Sequence, residues 1–256
     1  MIQKKIQKNG ICAASAAAGH RYFFPVLCAV LYACIFSAGC TARAALCINA
    51  DNSAVLEFKT RGGKTLEDTA AAFAGDSGTT VVLDEKAIRN TFEAAGFTLT
   101  ELKLAGKTGI ELKAHLSDIY KSAAADMLKT ETIGKEEKLT LTFSPAYMQT
   151  LTGLLPQETA EYTEFLMAPL FTGERMSAEE YAELIGSMYG KAMCADLETA
   201  FFNFDVSLSS AITRAEIFPS DAGVVRIDGG KAEFQLFLNK FLSNSDKIKI
   251  CIWRKI

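Results

Sequence analysis

Histidine is nearly absent from this 256-residue chain, with only His20 and His115 present. That scarcity excludes a His-Glu-x-x-His zinc site, and with no C-x-x-C or H-x-x-x-H pair there is no structural zinc motif either. Phosphate cradles are also missing: there is no G-x-G-x-x-G, and Gly63-Lys64-Thr65 has Phe58 where a Walker loop needs its first glycine. Excess positive charge is lacking too. A net charge of −3 and a pI near 5.6 provide no global field for phosphates, so nucleic acid is not expected as a partner. No residue pattern calls for a cofactor or a metal. What the chain does have is 49% apolar and 22% charged residues, which excludes disorder and collagen and suffices for one packed domain.

Acidic residues are missing from one region in particular. None occurs before Asp51, and the bases ahead of Gly39 are Lys4, Lys5, Lys8 and Arg21. Without those four, 23 bases face 30 acids. A basic region ending near Arg21, an apolar run over 22–38 and the small residues Ser37, Ala38 and Gly39 have the three parts of an export signal. With Cys40 next, Ser37-Ala38-Gly39-Cys40 resembles the lipobox of bacterial lipoproteins, in the relaxed form found in spirochaete-type proteins, with Ser37 where Leu is commoner. The resemblance implies diacylation of Cys40, cleavage between Gly39 and Cys40, and a membrane anchor of lipid. Three other readings stay open: a retained signal anchor, since about 17 apolar residues are marginal for spanning roughly 30 Å; secretory cleavage after Ala42 or Ala44; and a buried core helix. Of the seven cysteines, Cys47, Cys194 and Cys251 would remain unlipidated after processing, enough for one disulfide at most. Cys194 and Cys251 read equally well as small buried hydrophobes.

The domain organisation expected is a signal over 1–39, a lipidated tether over 40–53 and a single domain over 54–256. The tether follows from the short side chains and lack of periodicity over 41–53. The fold class expected is α+β: a mainly antiparallel sheet built from N- and C-terminal strands, with a central helical block on one face. Strands are expected at 55–59, 81–83, 97–104, 110–116, 139–143, 202–208, 211–218, 223–227, 231–238 and 247–253. Helices are expected at 65–73, after Asp84, and over 145–153, 157–168 and 177–199, the last opened by a capping box at Ser177. In the final strand, alternation turns Ile248, Ile250 and Ile252 inward and Lys247, Lys249, Cys251 and Trp253 outward.

Several fragments imitate chemistry. Gly75-Asp76-Ser77-Gly78 looks like a serine-protease nucleophile, but its only partner, His115, follows Ser77 rather than preceding it, so the segment reads as a turn. His115 itself reads as a surface or half-buried strand residue. Glu179-Glu180 suits a helix start and Glu136-Glu137 a turn, neither needing an acid–base role. Apolar density around Leu151, Leu155, Phe165, Leu166 and Leu170 reads first as core and second as the lining of a pocket for a lipid or other hydrophobic ligand. The function expected is therefore that of a non-enzymatic, membrane-anchored envelope lipoprotein with a binding or structural role, its domain facing periplasm or exterior. Carriage of a hydrophobic ligand is the alternative, and a secreted or signal-anchored protein of other activity the second. No protein partner is legible.

Overall fold

The computed structural model describes residues 41–60, 85–94, 96–105, 109–121, 125, 127–144, 169, 172–243 and 247–256. Expectations for the export signal, for 61–84 and for the helices over 145–168 lie outside these residues. Eleven strands are described: β1 (Thr41–Ile48), β2 (Ala54–Thr60), β3 (Thr98–Ala105), β4 (Gly109–Leu116), β5 (Leu128–Ile133), β6 (Glu136–Phe143), β7 (Phe201–Leu208), β8 (Ile212–Phe218), β9 (Gly223–Asp228), β10 (Lys231–Phe237) and β11 (Ile248–Lys255). Four α-helices accompany them: α1 (Glu85–Ala94), α2 (Ala178–Tyr189), α3 (Lys191–Thr199) and α4 (Leu238–Ser243). The class is thus mixed α+β with strands dominant.

Two sheets hold all eleven strands. One has seven in the order β3-β4-β2-β1-β7-β10-β9, the other four in the order β5-β6-β11-β8. Pairing is antiparallel except between β1 and β7, which run parallel. The larger sheet joins N-terminal β1–β4 with C-terminal β7, β9 and β10, as expected, while the last strand, β11, lies apart from it between β6 and β8.

The segment read as a tether is a central strand. Ala42, Ala44, Leu46 and Ile48 are buried in the core, and β1 pairs with β2 on one side and β7 on the other. Two alanines supply half of its inward face, which is why no strong apolar alternation shows in the sequence. Residues 49–53 are no looser. Asn52 sits at φ 66, its amide donates to the Asn49 carbonyl (3.1 Å), and the Ser53 amide (3.0 Å) and hydroxyl (2.6 Å) both donate to the Asp51 carboxylate. Those two bonds from Ser53 hold the Asp51 carboxyl below the usual range. The described fold therefore includes residues 41–53, and a boundary at Ala54 would cut through a hairpin.

Inward faces of both sheets meet in one core. Phe58, Ile110, Leu112, Phe204, Val206, Phe234 and Leu236 come from the larger sheet, Leu139, Leu141, Ile250 and Ile252 from the smaller. The Phe143 ring of β6 stands edge-on to Phe204 of β7 (6.4 Å between centroids) and to Phe241 of α4 (5.9 Å), so α4 closes one end of the space between sheets. Ile248, Ile250 and Ile252 are buried as alternation requires, but so are Cys251 and Trp253 on the opposite face. Cys251 lies against Thr140, and the Trp253 ring is flanked by Lys138 and Arg214 from the neighbouring strands. That face is covered by long side chains rather than left to water.

Of the expected helical block, α2 and α3 are described. They are two helices rather than one because Gly190, at φ 93, ends α2 through its amide to the Gly186 carbonyl (3.0 Å). Both pack with α4, and Tyr181, Ile185, Met193 and Leu197 join the common core. Burial raises the Tyr181 hydroxyl far above its ordinary pKa, so it stays neutral. The capping box is present: the Ser177 hydroxyl accepts from the Glu180 amide (3.1 Å), and the Glu180 carboxylate accepts from the Ser177 amide (2.8 Å). Replacing Ser177 with Ala is expected to lower stability by about 1 kcal/mol, read as a lower denaturant midpoint at unchanged m-value. No change in midpoint would mean that the cap does not hold α2.

Candidate functional site

The outer face of the seven-stranded sheet is where polar chemistry collects. Residues that alternate with the buried set on β1, β7 and β10 place Arg43, Asp205, Lys231 and Glu233 side by side. The Asp205 side chain, only 6% exposed, accepts from Arg43 Nε (3.1 Å) and Nη2 (2.5 Å), and Lys231 Nζ lies 3.2 Å away. The hydrogen bond to Asp205 raises the Arg43 pKa; that of Lys231 is raised chiefly by its bond to Glu233 and then by Asp205. Both cations keep contact with solvent, so these pairs orient side chains more than they stabilise the domain.

The pattern continues across β2 and β4. Lys59 pairs with Glu111 and Lys113 with Glu57, each at 2.6 Å. Open depressions flank Arg43 on either side, one over β1, β2, β3 and β4, the other over β7, β9 and β10. Their carboxylates are mostly matched by neighbouring cations. The arrangement is suited to multipoint polar contact.

Most of the tempting fragments find ordinary places. His115 is exposed on β4 between Val55 and Thr98. Glu180 serves the capping box. Glu136 and Glu137 are corrected: they open β6 rather than forming a turn, Glu136 accepting from the Thr213 hydroxyl (2.7 Å) and Glu137 pairing with Arg254. The turn lies one step earlier, where Gly134 takes φ 65. Cys47, Cys194 and Cys251 are all free thiols, exposed, half-buried and buried in that order. Burial, assisted by Glu198, pushes the Cys194 thiol up, away from the thiolate needed for attack. Among the described residues no three His, Cys, Asp or Glu side chains are grouped to hold a metal ion. Gly39 and Cys40, Ser77, Gly63-Lys64-Thr65 and the pocket residues Leu151, Leu155, Phe165, Leu166 and Leu170 lie outside the described residues.

Sequence reasoning missed the Arg43–Asp205–Lys231 cluster. Its members are 162 and 26 positions apart, and only the β1–β7–β10 register unites them. The weak alternation of β1, with alanines at half of its inward positions, gives no local signal for it.

No protein-family model matches this chain, and no curated protein matches it. Among solved structures, the NMR structure of the folded domain of the Mycobacterium tuberculosis LppM protein is similar at a TM-score of 0.37 and 11% identity, covering 84% of this chain and 89% of that one.

Proposed function

We propose that the chain is a bacterial envelope lipoprotein, anchored through lipid on Cys40, with a non-enzymatic binding or structural role for its folded domain. The observation that carries this reading is the position of β1. Its described residues run from Thr41, next to the lipobox-like cysteine in the sequence. Cleavage between Gly39 and Cys40 leaves β1 whole. Cleavage after Ala42 or Ala44 would remove the first two or four of its eight residues, including buried Ala42 and, at the later site, buried Ala44. Burial of Ala42 and Ala44 in β1 supports a cut ahead of Thr41. The non-enzymatic part rests on the sequence, with one histidine after the signal and no nucleophile motif in workable order, and on the matched charges of the polar face.

Cys40→Ser is the direct test. A fatty-acid analogue is expected to label the wild-type protein and not the variant, and the variant is expected to accumulate as uncleaved precursor in the membrane, because lipidation precedes this cleavage. Equal labelling of both proteins would contradict the reading.

A further inference from the structure

We infer that the end of the seven-stranded sheet at which β1 begins is a docking surface for anionic lipid headgroups. This rests on the lipid-anchor reading above and extends it from an attachment point to an orientation. An anchor on Cys40 leaves little slack, because the next residue is already paired with β7, and β2 joins on the other side from Arg43. The acyl chains lie in the hydrocarbon, so the surface around Thr41 lies among the headgroups.

The residues of that end fit such a neighbour. The outward row next to that of Thr41, Phe201 and Phe237, about 7 Å further along the strand, is Lys103, Glu111, Lys59, Arg43, Asn203, Gln235 and Val224, with three cations against one anion. The next row, two residues further from Thr41, reverses the sign. Glu101, Glu57, Asp205 and Glu233 there outnumber Lys113 and Arg226. Positive charge therefore stands on the anchored side and negative charge behind it, within the roughly 10 Å over which surface charges act in salt. One exposed apolar side chain, Val224, stands within the basic row. Lys240 of α4 is paired with Asp221 and adds no net charge, and Glu198 in the last turn of α3 is an anion close to the same end. The basic row must therefore outweigh Glu198. A basic row beside a lipid chain supplies the second of two membrane signals.

Amine-reactive footprinting of the wild-type lipidated protein tests this without altering the fold. Reactivities of Lys59, Lys103 and Lys231 are compared in detergent, on vesicles of phosphatidylglycerol and phosphatidylcholine in equal amounts, and on pure phosphatidylcholine. Lys231 pairs with Ser207 and so lies in the row of Cys47, about 20 Å along the strand from Thr41. The mixed vesicles are expected to protect Lys59 and Lys103 several-fold and leave Lys231 unchanged, and the protection is expected to fall on pure phosphatidylcholine. Uniform reactivity, protection of Lys231, or equal protection on both vesicles overturns the docking surface while the anchor stands. Failure to float with vesicles, together with absent fatty-acid labelling, overturns the anchor instead.

Discussion

A chain starting at Ala54 is expected not to fold, whereas one starting at Thr41 is expected to unfold cooperatively with a well-dispersed native spectrum. The difference is β1. Burial of Leu46 and Ile48 contributes about 3–6 kcal/mol by side-chain transfer alone. The backbone hydrogen bonds to β2 and β7 add about 1 kcal/mol each in net terms. Together they match or exceed the 5–15 kcal/mol that holds a typical domain. Loss of the strand also opens two sheet edges in the middle of the molecule, each a template for aggregation. Heteronuclear spectra of the two proteins at equal concentration provide the measurement. A well-dispersed spectrum from the shorter chain would show that β1 is not integral and would restore the tether.

The second large effect concerns β11. Ile250→Asp is expected to prevent folding, since Ile250 is fully buried between β6 and β8. The change removes its apolar contacts, about 2–5 kcal/mol, and places a carboxylate between apolar Leu141 and Ile217. Lys249→Asp, one residue away and exposed, is expected to cost under about 1 kcal/mol. Simple alternation would make Cys251→Asp equally mild. The structure makes it costly, because Cys251 is 2% exposed on the covered outer face. Thermal unfolding of the three variants separates these outcomes. A tolerant Ile250→Asp would mean that the register is wrong, and a tolerant Cys251→Asp that Lys138 and Arg214 do not keep that face dry.

The contrast between these two strands shows what the sequence makes legible. β11 carries three isoleucines at period two, and the hairpins β3–β4 and β9–β10 combine alternation with glycine turns, so local chemistry suffices to find them. In the last of these the two-residue loop is Gly229-Gly230, with Gly229 at φ 58. β1 hides because alanines occupy half of its inner face. β5 hides because an edge strand with the sequence Leu-Lys-Thr-Glu-Thr-Ile has apolar residues only at its ends. Helix α2 is announced by its capping box, but its separation from α3 at Gly190 is not, the sequence reading giving one helix over 177–199. The polar cluster is not legible at all, because it depends on a parallel pairing between strands more than 150 residues apart, which no local pattern encodes. The proposed anchor is the reverse case, argued wholly from a local motif, while the orientation inferred from it needs the strand that follows.

The central claim is that processing leaves Cys40, lipidated, immediately ahead of an intact β1. Mass spectrometry of the N-terminal peptide from the membrane-purified protein tests it most directly. The account expects a peptide that begins at Cys40 and carries a diacylglyceryl thioether, with or without a third acyl chain on the freed amine. A mature terminus at Arg43 or Ala45 with Cys40 absent, or an uncleaved N-terminus, would contradict it.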